Sequence, residues 1–188
     1  LAAHQACGVL GDGAELGGRL SWALKPYWLN RGLLGLGLRV ASEAMERLRN
    51  QPPSTASCTA LLDVGQLCFF VGQYRHATEY LRQSLEQARM LQDRLRETAA
   101  LQVLGVSWLG LGELTPARVC LLDALRYATQ DQNEPFQAYL HNALGQLYRV
   151  SGEFDQAMQA NRTAHALALG LGNQDLQAIA LLNEAMIR

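Results

Sequence analysis

The side chains able to do chemistry in this chain are few and scattered. The imidazoles are His4, His76, His141 and His165, and the thiols are Cys7, Cys58, Cys68 and Cys120. A zinc site needs such groups in close pairs, as in C-x2-C or H-E-x-x-H. Only His4 and Cys7 are spaced three apart, and no second pair completes a set. No Ser/His/Asp or Cys/His arrangement follows a catalytic motif. The glycine-rich runs 32–37, 105–112 and 170–172 could suggest phosphate loops, yet none follows a strand or ends in Gly-Lys-Ser/Thr. Asp123 and Glu153 fall on solvated faces or turns, and His141 falls in a core-facing phase. The expectation is a protein with no catalytic residue, no metal and no cofactor.

Composition narrows the class further. Sixteen basic residues against seventeen acidic ones leave a net charge of −1, which lacks the clustered Lys/Arg of a nucleic-acid footprint. It also gives no pull toward anionic lipid. The longest apolar stretches, such as 33–38, fall short of the roughly 20 residues that span a bilayer. Residues 1–13 lack the basic start and long apolar run of a signal peptide. The four cysteines sit in apolar helical patterns without a C-x-x-C pair, so they read as buried, reduced thiols and a cytoplasmic setting. Both ends read as cuts through a longer protein.

The elements that must position any site are helices. Residues 1–10 read as the tail of a preceding helix. Helix pairs are expected over 14–49, 56–91, 95–129 and 135–169, with the first helix of a truncated repeat over 175–188, as a single array through 1–188. Pro26 predicts a kink. The run NQPPSTAS (50–57) is the clearest loop, with Ser54, Thr55 or Ser57 as the next cap. Thr115-Pro116 reads as a helix start with Thr as the cap, and Glu134-Pro135 as another. Turns of a few residues make each pair antiparallel.

These elements repeat in lockstep. The mid-helix glycines Gly65, Gly105 and Gly145 are 40 residues apart, and so are the break glycines Gly32, Gly72, Gly112 and Gly152. A fixed period in this range marks a stacked repeat architecture. A mid-helix glycine costs about 1 kcal/mol against alanine, so its return at one phase implies close helix approach, near Ala77, Ala117 and Ala157. Three residues later comes a larger residue, Cys68, Trp108 or Tyr148, expected to fill the groove between helices. The break glycines are expected to be left-handed C-caps.

The order of these residues resembles the tetratricopeptide repeat (TPR). Leu144, Gly145, Tyr148, Gly152, Phe154, Ala157 and Ala164 carry the best copy; Leu104, Gly105, Trp108, Gly112, Leu114, Ala117 and Ala124 carry the one before. The copy before that keeps Val64, Gly65, Gly72, Tyr74, Ala77 and Leu85, and departs at Cys68 and Ser84. The first copy is degenerate, with Lys25 at the mid-helix glycine position and Gly37 at the alanine. The last keeps Leu181 and has Ala185 for glycine. The period of 40, against the usual 34, is expected to lengthen the second helix and the following turn. This long-period form resembles arrays in kinesin light chains and those C-terminal to the ATPase modules of bacterial transcriptional regulators; Leu20–Met45 resembles the first repeat of the latter.

The resemblance implies an all-α, right-handed superhelical solenoid of antiparallel helix pairs that binds a protein or peptide. It places the inner, concave face on the first helix of each pair. Phased from the glycines, that face carries Arg19 and Trp22, then Leu62, Gln66 and Phe69. Gln102, Val106 and Leu109 follow, then Tyr139, Asn142, Gln146 and Arg149, and last Asn183. Amides at one phase could bond a ligand's backbone, while Phe69, Val106 and Leu109 could seat an apolar side chain. The face lacks the Lys/Arg cluster of a clamp for acidic peptide tails. The implied context is the sensor or partner-binding region of a signalling regulator, without direct nucleic-acid or membrane contact. Small-molecule sensing and homodimeric self-association are the alternatives.

Overall fold

The computed structural model describes residues 13–187, and readings that fall on 1–12, His4 and Cys7 among them, lie outside the described residues. The described residues form nine helices and no strand. These are α1 (Gly13–Asn30), α2 (Leu34–Leu48), α3 (Thr55–Phe70), α4 (Tyr74–Met90), α5 (Arg94–Gly110), α6 (Leu114–Gln130), α7 (Glu134–Val150), α8 (Phe154–Gly170) and α9 (Gln174–Ala185).

From α4 to α8 every helix has 17 residues. Turns of three residues separate them, so two helices of equal length and two equal turns fill the 40-residue period. The expected longer turn after the second helix is not there. The added length sits in helices that stop at the same kind of corner. In that corner the residue after the C-cap is left-handed, with φ +78° at both Gly72 and Gly152. The next amide donates to the carbonyl five residues back, Gln73 to Cys68 at 2.9 Å and Glu153 to Tyr148 at 2.8 Å, which is a Schellman closure. Two of the turns between pairs use the same corner without glycine: Gln92 and Gln132 hold φ +55° and +51°, whereas the turn from α8 to α9 keeps Gly172 at +67°.

Helix starts follow local chemistry. Ser54 and Ser57 form a reciprocal capping box at α3. Asn133 and Asn173 accept from the Phe136 and Leu176 amides, at 3.2 and 3.1 Å. At α6 the cap position belongs to Glu113, not Thr115, which lies inside the first turn with Pro116. There the Gly112 corner leads straight into the helix and leaves no room for a separate cap. α1 runs through Pro26 as one helix.

The chain divides into two compact units, Leu1–Ser107 and Trp108–Arg188. In the first, α1 packs on α2, α3 on α4, and α3 also contacts both α1 and α2. Val64, Leu67, Leu81 and Ala88 are fully buried. Trp28 closes over Gly37, where an added Cβ would stand 2.7 Å from the ring. At Gly65 the same Cβ would stand 2.6 Å from Leu81 Cγ. The glycine is therefore an approach point, as its cost implies, with the Leu81 side chain as the nearest group and the Ala77 carbonyl behind it.

In the second unit, α7 packs on α6, α8 and α9, and α8 on α9. Leu121, Leu140, Leu144, Leu147 and Leu176 are its buried leucines among the described residues. Consecutive pairs are also tied by two equivalent amides: Gln137 and Gln177 donate to the last-turn carbonyls of Ala128 and Ala168, each at 3.2 Å. Gly145 faces Asn161, and a Cβ there would overlap the Asn161 amide.

Candidate ligand-binding face

The first helices bear on one another through polar side chains. In the first unit Lys25 Nζ donates to Asp63 Oδ1 and to Gln66 Oε1, both at 2.8 Å, and lies 3.6 Å from the centroid of the Trp22 ring. Trp22 itself stays 48% exposed. Asp63 is 1% exposed, and its Oδ2 is buried without a hydrogen-bond partner among the described residues. Burial pushes the Asp63 carboxyl up to about 6 against the pull of Lys25. Burial also lowers Lys25, although Asp63 acts to raise it. Desolvation thus outweighs attraction at both partners.

The second unit also joins two first helices, through a neutral pair. Asn183 Nδ2 donates to Asn142 Oδ1 at 2.8 Å, and the pair spans 41 residues, as does Lys25 with Gln66. Asn183 has the register of Asp63, 120 residues on, so the one position buries a carboxylate in one unit and an amide in the other. Tyr139, half in solvent, accepts at its hydroxyl from Asn173 Nδ2 at 3.1 Å.

Of the residues phased onto this face, Arg19, Trp22 and Tyr139 are exposed. Gln66, Phe69, Gln102, Val106 and Leu109 are half-buried, as are Asn142, Gln146 and Arg149. Phe69 meets the Phe70 ring edge to face and the Tyr74 ring at a tilt, with centroids 5.4 and 5.7 Å apart. Leu62 and Asn183, each 4% exposed, are buried and offer a ligand no surface. For Leu62 the cause is an α3 that packs on α1, α2 and α4 and has no wide solvent face.

Two residues that organise this face fall outside the phased set. Lys25 stands at the mid-helix glycine register, and Asp63 is the lone charge in the apolar run TALLDVGQL. A charge in such a run needs a buried partner, and the lone lysine at a glycine position 38 residues upstream supplies it.

Several other titratable groups are engaged in packing or ion pairs. Cys58 and Cys68 are buried free thiols, both raised by burial, Cys68 to about 11. Cys58 Sγ and Ser84 tie α3 to α4, with Ser84 Oγ donating to the Cys58 carbonyl at 2.9 Å. Burial lowers the His141 imidazole from its ordinary value. Asp123 pairs with Arg126 at 3.1 Å, and Glu153 pairs with Arg118. Among the described residues no group of three or more His, Cys, Asp or Glu side chains is placed to hold a metal. No helix there is long and apolar enough to cross a membrane.

No family model and no curated protein matches the sequence. Solved structures do match the fold. BtubC (BKLC) from P. vanneervenii superposes with a TM-score of 0.78 at 16% identity, over 99% of this chain and 77% of that one. A Rap protein complexed with Competence and Sporulation Factor gives 0.82 at 17% identity, over 92% of this chain and 48% of the Rap chain. This chain therefore spans about half the length of that protein. TPR-like repeats of a Podosopora anserina protein described as a kinesin light chain give 0.70 at 12%, over 90% and 84%. The described helices, their 40-residue rhythm and these superpositions together give the chain a TPR-like, all-α helical-repeat fold.

Proposed function

We propose that the chain is a non-catalytic scaffold that holds a peptide or protein segment against its first helices. The observation that carries this reading is that each unit sets amides and aromatics that are not fully buried on its first helices. Gln66, Asn142 and Gln146 present amides, and Phe69 and Tyr139 present rings, on helices held in place by contacts 41 residues apart. A peptide main chain offers donors and acceptors that amides can meet without a charge requirement, and pre-set side chains lower the ordering cost of binding. The fold likeness supports the reading. The Rap protein named above is complexed with Competence and Sporulation Factor. A further Rap protein of similar fold, at a TM-score of 0.69 and 14% identity, is complexed with the Phr* peptide.

On this reading the chain is the partner-binding region of a larger signalling or transcriptional regulator in the cytoplasm, a setting that suits its reduced, buried thiols. The test is selection of a random peptide library on the whole chain, followed by fluorescence anisotropy with the selected peptides. Gln146→Ala and Phe69→Ala are each expected to weaken binding about tenfold, on the order of 1.4 kcal/mol. Selection of nothing, or unchanged affinity in both variants, rejects it.

Self-association is a second reading, favoured by the apolar side chains that α9 leaves in solvent: Ile179, Leu181, Leu182 and, just past its end, Met186. Sedimentation over a hundredfold range of concentration decides it, since a strict monomer removes it.

A further inference from the structure

The second helices carry a feature of their own. A cavity of about 280 Å³ lies between α2 and α4 over the start of α3, floored by Met45, Leu48 and Leu61, with Ser57, Gln83 and Gln87 in its wall. Glu46, Arg49, Glu79 and Tyr80 complete its lining. A second cavity, of about 240 Å³, lies in the other unit among α6, α7 and α8. The two share a register: Met45, Leu61, Glu79 and Gln83 are replaced, 80 residues on, by Leu125, His141, Gln159 and Thr163. The repeat therefore builds a groove beside its second helices, and the side chains at fixed positions decide what each groove accepts.

The α2/α4 groove differs in charge. Glu46, Glu79 and Tyr80 all line it; burial raises the Tyr80 hydroxyl, and Cys68 and the two glutamates add to the rise. In the other unit Glu79 is replaced by Gln159 and Tyr80 by Ala160. The end of α2 differs as well. A left-handed residue recurs every 20 positions at Gly32, Gly72, Gln92, Gly112, Gln132, Gly152 and Gly172. Position 52 breaks the rhythm because it is Pro52, whose ring holds φ negative. α2 stops at Leu48 after 15 residues, and its cap, Arg49, has φ −56° without the Schellman bond. The negative end of the helix dipole is thus left beside Glu46.

We propose that this groove binds the basic side chain, lysine or arginine, of a partner peptide, as a site separate from the first-helix face. The aliphatic stem lies on Met45, Leu48 and Leu61, and the cationic head meets Glu46, Glu79 and the Tyr80 hydroxyl. Arg49 already shows the chemistry, since its Nη1 lies 3.3 Å from Glu46 Oε2 as an exposed pair. Such a pair is weak enough to exchange, and the incoming head takes the place of Arg49.

The test uses the whole chain with ¹³C-methyl methionine. N-acetyl-arginine amide is titrated against the Met45 methyl signal, beside the neutral isostere N-acetyl-citrulline amide. The arginine derivative is expected to give a saturable shift, with the citrulline derivative at least tenfold weaker. Glu79→Gln should weaken the arginine derivative at least fivefold, and Arg49→Ala should tighten it. Both positions are solvent-exposed, so the fold survives either change. An unmoved Met45 methyl, equal binding of citrulline, no effect of Glu79→Gln, or no gain with Arg49→Ala each overturns the proposal. None of these results bears on the first-helix face.

Discussion

Lys25 and Asp63 form a buried ion pair between two first helices, 2.8 Å apart, at a register where the next unit buries the neutral Asn183 instead. The pair follows from a single departure in the repeat. A lysine at the glycine position reaches across to the next first helix, and an aspartate in an apolar run receives it. Lys25→Met alone strands Asp63 in the interior and is expected to cost about 3–5 kcal/mol. The double change Lys25→Met with Asp63→Leu should recover most of that loss, because no charge is then left buried. Urea unfolding of the two variants checks this, and additive losses would contradict it.

The same pair fixes an unusual pH response. The folded state holds the Asp63 proton up to about 6, against an ordinary value of 3.8. A raised carboxyl stabilises the fold fully below the unfolded value, and that stabilisation fades as pH rises through about 6. Between pH 6 and 4 the Asp63 contribution therefore grows as the solution is acidified, opposite to the usual acid loss. Asp63→Asn should remove this component, so the wild-type minus variant difference in unfolding free energy should rise as pH falls through that window. A difference that falls instead would contradict the burial argument.

The glycine approach points make a prediction of opposite sign to helix propensity. Gly65→Ala and Gly145→Ala each gain about 1 kcal/mol in propensity, but each places a Cβ against a neighbour, Leu81 or Asn161. Overpacking of this kind costs typically 1–3 kcal/mol, so net destabilisation is expected at both. Asn161→Ala should rescue Gly145→Ala: it removes the colliding amide, whose nitrogen and oxygen are both buried without a partner among the described residues.

The corners between pairs offer the reverse. Gln92 and Gln132 hold left-handed backbone that costs a side-chain-bearing residue about 1–2 kcal/mol. Gln92→Gly and Gln132→Gly should therefore raise the melting temperature by a few degrees, whereas Gly72→Ala and Gly152→Ala should lower it. Calorimetry on the four variants measures both signs.

How much of this was legible in the sequence varies by element. The helices, their pairing and the break glycines follow from spacing alone, because a left-handed corner and a close approach each demand glycine. The helix bounds placed turns at Gln92 and Gln132, but their left-handed backbone was opaque, since glutamine carries no such signature. The 20-residue rhythm would have set the start of α6 at Leu114, where Thr115-Pro116 is a misleading local signal. On the candidate face, phase put Gln66, Asn142 and Gln146 on first helices, where all three are half-buried. It could not tell that Leu62 is covered, because burial depends on how many helices crowd α3. Lys25 and Asp63 went unjoined because nothing local links residues 38 apart.

The account rests most heavily on the first helices being the side that holds a peptide. An amide chemical-shift map of the whole chain, titrated with a library-selected peptide that carries no lysine or arginine, tests this most directly. The account predicts saturable changes centred on Gln66, Phe69, Asn142 and Gln146, with Glu79, Gln83, Gln159 and Thr163 unmoved. Changes centred on the second-helix set, with the first helices silent, would contradict it.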